Sequence, residues 1–99
     1  MPDEIAVVNK FYPQGDHVSD TTLSTVTDLS SIAGTRGKIL IQALAQNIRF
    51  TLGSNDVPSA TVGFVLKVGD QPVIIDLEGV TLQIIEETSG AIAQYVFGD

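Results

Sequence analysis

The chain has no cysteine and no tryptophan, a single histidine, and only five basic residues against twelve acidic ones. Without cysteine there is neither a disulfide nor a thiolate metal site. One histidine, His17, cannot supply a histidine-based triad or a two-histidine metal site within one chain. The basic residues Lys10, Arg36, Lys38, Arg49 and Lys67 are scattered, no two adjoin, and the formal charge is -7. Binding to a phosphate backbone needs clustered Lys and Arg, so no nucleic-acid partner is expected. Apolar runs such as Val73–Ile75 and Ile39–Ile41 fall far short of the roughly 20 residues of a membrane-spanning helix. The opening MPDEIAVVNK carries Asp3 and Glu4 where a secretory leader has basic residues, so synthesis and folding in a cytoplasm are expected.

A length of 99 residues corresponds to one domain. Domains this small bury only about 60–65% of their unfolded surface and commonly need disulfides, metals or oligomerisation for stability. Charged residues make up 17% of the chain and the mean hydropathy is +0.26. Soluble domains typically carry about 25% charged residues. Some apolar surface is therefore expected to be covered by a partner, with a homo-oligomer as the simplest source.

Residues 1–20 read as an N-terminal arm, with a strand-like piece at IAVVNKFY followed by a Pro-Gln-Gly-Asp turn, and residues 21–99 as a single β domain. Within the arm, Ile5, Val7, Phe11 and Tyr12 are the candidate partner contacts. The segment TTLSTVTDLSSIAG spaces Leu23, Val26, Leu29 and Ile32 by three, as in a helix, but its Ser and Thr content favours a strand through about Leu29. Beyond Gly37 the alternation is clear. KILIQALA, QNIRFTL, TVGFVLKV, VIIDL, VTLQIIEE and AIAQYVF each read as a strand, separated by GSNDVPSA, GDQP, EG and TSG turns. Seven or eight short strands without a long helix predict an all-β antiparallel sandwich or barrel, jelly-roll or immunoglobulin-like, with the extended arm attached.

Residues that carry chemistry are sparse. His17 between Asp16 and Asp20 reads mainly as a solvated residue. Asp70, Asp76, Glu78, Glu86 and Glu87 are the carboxylates available for acid–base work, but most stand in or beside turns, where solvation is the simpler reading. The SND at 54–56 lacks the spacing of a calcium loop, and GSNDVPSAT lacks the Gly-Lys pair of a phosphate loop. Tyr95 and Phe97 share one face of the last strand and read as core or subunit-interface packing. No cofactor, no metal and no enzymatic activity are expected.

Across residues 38–97 the chain resembles a group of small tailed-phage structural proteins, through AQNIRFTLG, PSATVGF, LKVGDQP and EETSGA. It departs from them in having SND where the group more often has an Asp-Gly turn. The resemblance implies a virion component: a head decoration or cement protein that binds the major capsid protein on the capsid exterior, as a trimer. It also makes the host cytoplasm the place of assembly. Two rivals carry their own signatures. A tail- or fibre-associated carbohydrate module would use the loops at 53–60 and 69–72 with Tyr95. A small enzyme would share a carboxylate pair across a subunit interface.

Overall fold

The computed structural model describes residues 11–53 and 55–99. Ile5 and Val7 lie outside the described residues. Among the described residues eight strands and one short helix follow in the order β1 (Val18–Asp20), β2 (Thr27–Asp28), α1 (Leu29–Ala33), β3 (Lys38–Leu44), β4 (Ile48–Leu52), β5 (Phe64–Leu66), β6 (Val73–Asp76), β7 (Leu82–Glu86) and β8 (Ile92–Gly98). They form two four-stranded antiparallel sheets, ordered β1-β8-β3-β6 and β2-β7-β4-β5.

The pairs β1·β8, β2·β7, β3·β6 and β4·β5 are those of one long hairpin with its tip at the β4–β5 connection. The further pairings β8·β3 and β7·β4 roll that hairpin into two sheets. This is the jelly-roll arrangement. Of the expected alternatives it selects the sandwich over the closed barrel, and the jelly roll over the immunoglobulin-like order.

The period-two pattern sets which face is buried. Ile39, Ile41 and Ala43 of β3 meet Phe97, Tyr95 and Ala93 of β8 in register, and all six turn towards the second sheet. From that sheet Ile48, Leu82 and Ile84 face them, fully buried. Tyr95 and Phe97 pack edge to face at 5.3 Å between ring centroids.

The segment from Thr21 to Gly34 departs from the expected strand. Only Thr27–Asp28 pairs, and the chain then turns into α1. Asp28 caps the helix: its carboxylate accepts from the Ser31 N–H at 3.2 Å and from the Ser30 hydroxyl at 2.6 Å. A cap of this kind contributes about 1 kcal/mol. Leu29 and Ala33, four apart, are the buried pair, whereas Ile32 is 56% exposed. The three-residue spacing therefore does not mark the buried face. The informative signal is Asp28 followed by an apolar pair at i and i+4, closed by Gly34 at φ 64°.

Residues 11–20 lie along β8 of their own chain. Tyr12 and Asp99 exchange backbone hydrogen bonds at 2.7 and 3.0 Å, Gln14 donates to Phe97, and Val18–Asp20 continues the pairing. Gly98 makes the close approach possible. A side chain there would meet the Tyr12 carbonyl and the Phe11 ring, whose Cζ would lie 2.8 Å from its Cβ. The domain as described thus includes the second half of the expected arm.

Candidate partner-binding surface

The jelly roll is open along one side, where edge strand β5 of one sheet faces edge strand β6 of the other. Phe50 and Phe64 are in register on the inner face of β4 and β5, with ring centroids 5.6 Å apart. Opposite them stand Val73 and Ile75 of β6, which pair with the buried Ile41 and Ile39. Yet Phe64 is 66% exposed, because the two edges do not close over it. The result is a cleft of about 640 Å³ bounded chiefly by Phe50, Leu52, Phe64, Leu66, Val73 and Ile75. It adjoins a second hollow of about 370 Å³, reached past Val62 and Asp56. Among the described residues no strand pairs with this side of β5 or β6, so two sheet edges border an apolar trough.

β5 is only three residues long and is held in place from outside. Arg49 donates from Nη1 to the Gly63 carbonyl, immediately before β5, at 2.9 Å. Asn47 accepts from the Val68 N–H, just after it, at 2.8 Å. Glu87 fastens both: Oε2 accepts from Arg49 Nε and Nη2, each at 2.7 Å, and Oε1 accepts from Asn47 Nδ2 at 3.1 Å. The hydrogen bond from Asn47, then that from Arg49 with its charge, holds the Glu87 carboxyl below the usual carboxylate range, against a smaller opposing effect of desolvation.

A folded-state pKa below the unfolded one means that the clamp stabilises the fold above the unfolded carboxylate range. That contribution is lost as pH falls through the folded value. Glu87→Gln is expected to lower the melting temperature at neutral pH and to flatten the acid limb of the stability curve, as measured by thermal denaturation over a pH series. Parallel curves for the two proteins would rule out this role. The neighbouring 53–60 loop is tied down by Thr51, buried, whose hydroxyl donates to the Asp56 carbonyl at 2.6 Å.

Other expected residues are placed as follows. Tyr95 is 5% exposed within its own chain and packs in its core. Phe97 is half-buried against the same core. Burial, then the charge of Asp20, raises the Tyr95 phenol above its ordinary range. Phe11 is partly covered over Gly98, while Tyr12 is 58% exposed. His17 is exposed on the outer face of the first sheet, beside a shallow hollow of about 150 Å³ with Gln42, Pro72 and Gln94. Asp70, Asp76 and Glu78 are exposed, and Glu86 accepts from the Gly90 N–H at 3.2 Å.

Among the described residues no three His, Asp or Glu side chains gather as a metal site would require. No described helix is long and apolar enough to cross a membrane. The structure defines an eight-stranded jelly-roll sandwich with an apolar open edge. Searches against family models, curated proteins and solved structures find no match to this chain.

Proposed function

We propose that this chain is a non-enzymatic structural protein of a tailed-phage virion, which binds the major capsid protein on the outer surface of the head as a trimer and stabilises the shell. The observation that carries this reading is the open β5–β6 edge. Among the described residues two facing edge strands and a two-thirds-exposed phenylalanine are left uncovered, which supports completion of this edge by another protein. Jelly rolls recur in capsid and lectin domains, a precedent that concerns architecture alone. The likeness of residues 38–97 to small phage structural proteins supplies the virion setting. Stabilisation would follow from mass action, many modest contacts favouring the assembled shell.

The test is quantitative mass spectrometry of gradient-purified particles together with rebinding of the purified chain to shells stripped of it. Many copies per head, a rise in the temperature at which stripped shells open, and a solution mass near three times 10.5 kDa are expected. Absence from the head overturns the reading. The carbohydrate-module alternative is favoured by one observation, the outer-face hollow flanked by the amides of Gln42 and Gln94. Tyr95, only 5% exposed, is among the residues that line it. Binding of the isolated domain on a glycan array would select that alternative.

A further inference from the structure

On one side β8 pairs with β3 at every position from Ile92 to Gly98. Its other side is covered by residues 12–20 of the same chain, through the Tyr12–Asp99 exchange, the Pro13–Gly98 bridge, the Gln14 bond to Phe97 and the register of Val18, Ser19 and Asp20 with Tyr95, Gln94 and Ala93. This strap is attached chiefly by its backbone. Residues 12–19 are exposed, and Ser19 Oγ donates to Gln94 Oε1 at 3.0 Å. A bend at Gly15 separates the bridge at Pro13 from the ladder that begins at Val18. Exposed backbone bonds with few buried contacts mark a segment that opens before the core does.

What the strap covers is unlike the strap itself. Ala91–Gly98 holds no charged residue and no proline, the composition of an edge that templates pairing with a further chain. Residues 11–20 carry Pro13, Asp16 and Asp20, residues of the kind that blunt an edge. The side of β8 is thus an acceptor for an extended chain, and the segment that fits it is in place: Gly98 leaves room for Phe11 and the Tyr12 carbonyl, and Gln94 receives Ser19. The strap also has a defined pivot. Asp20 Oδ1 accepts from the Thr22 N–H at 2.8 Å and from its hydroxyl at 2.7 Å. Leu23 is fully buried, and its carbonyl accepts from the Glu86 N–H at 3.0 Å. The chain is anchored in the sandwich from Leu23 onward, which makes Thr21–Thr22 the hinge.

We propose that residues 11–20 exchange between copies, the strap of one chain pairing with β8 of a second in the register it has on its own β8. The exchanged pairing reproduces every strap bond of the closed chain. The two forms therefore differ at the hinge and in their dependence on concentration, and exchange of an identical element is a low-cost route to association. Passed from copy to copy, it closes a symmetric oligomer. The inference concerns how copies join and is independent of the virion.

Because the chain has no cysteine, engineered disulfides report on the strap alone. Ser19 and Gln94 are directly opposite, a separation of about 4.5–5.5 Å that a disulfide can bridge. The experiment uses three full-length variants, Ser19→Cys, Gln94→Cys and the double variant, oxidised over a range of protein concentrations and read by intact mass. Ser19→Cys mixed with Thr61→Cys, exposed on the β4–β5 connection of the other sheet, gives the level of accidental linkage. Ser19→Cys mixed with Gln94→Cys is expected to yield a linked pair of twice 10.5 kDa at about tenfold or more above that level, rising with concentration. The double variant should close within one chain when dilute and between chains when concentrated. A mixture no better linked than the control, with a double variant that closes only within one chain, would overturn the proposal. So would a double variant that forms neither link, since the register itself would then be wrong. Absence of the protein from phage heads would leave the exchange standing, and so separates the two readings.

Discussion

Replacing Gly63 by valine is expected to cost about 3 kcal/mol or more, and to do so by detaching β5. Gly63 has φ 121°, a backbone region that β-branched residues do not occupy without strain. Space is closed as well: a Cβ there would lie 2.7 Å from the Phe50 carbonyl oxygen and 3.2 Å from its carbon, both backbone atoms of the adjacent strand. Strain of this kind costs about 1–3 kcal/mol, and forced overpacking about the same again. The chain can relieve both only by moving residue 63 away from β4. That movement breaks the Arg49 bond to its carbonyl and spreads the Phe50–Phe64 pair. Urea unfolding should show a lower midpoint, and amide exchange the loss of protection across Phe64–Leu66. Wild-type stability in Gly63→Val would mean that the close approach to Phe50 is not a constraint on the fold.

The second large effect is expected at Ile41, fully buried on the central strand β3 and in register with both Tyr95 and Val73. Ile41→Ala removes three carbons where both sheets meet and leaves a cavity; such changes cost about 2–5 kcal/mol. For a domain of this size each kcal/mol lowers the melting temperature by about 4–8 °C. A loss of about 3 kcal/mol would be a large share of a typical total of about 5–15 kcal/mol. Leu40→Ala, one residue away on the outer face and only half-buried, serves as the comparison and should cost clearly less. Equal melting temperatures for the two variants would show that the assignment of inner and outer faces of β3 is mistaken.

The long alternating strands were legible in the sequence because each carries its own evidence. Ile39, Ile41 and Ala43 announce a buried face whatever they pair with, and so do Leu82 with Ile84 and Ala93 with Tyr95. Where the outcome depends on several local signals the reading was weaker. Asp28 is as ordinary in a loop as at a helix start, and α1 follows only when it is combined with Leu29 and Ala33.

The candidate surface was mostly hidden for a different reason. Val62, Phe64 and Leu66 alternate as a buried strand should, and Leu66 is indeed buried. Nothing in that alternation says that the opposing sheet ends short of Phe64. Likewise Glu87 reads as one more solvated carboxylate until the fold brings Arg49 and Asn47, 38 and 40 residues away in the chain, to its two oxygens. Tyr95 and Phe97 were recognisable as a pair on one face, while the ownership of that face by the chain's own core is a matter of three-dimensional closure.

The Asn47–Arg49–Glu87 clamp also sets an order of loosening. Four of the eight strands, β3, β4, β7 and β8, are secured by backbone ladders on both sides, and those ladders do not depend on side-chain charge. β5 has one ladder of three residue pairs, and its ends depend on two amide and guanidinium contacts that converge on a single carboxylate. Loss of that carboxylate's charge removes side-chain support from both ends of one wall of the cleft, whereas the backbone ladders elsewhere do not rely on it. On acidification, amide exchange across Phe64–Leu66 is therefore expected to rise more than exchange across the doubly paired β3.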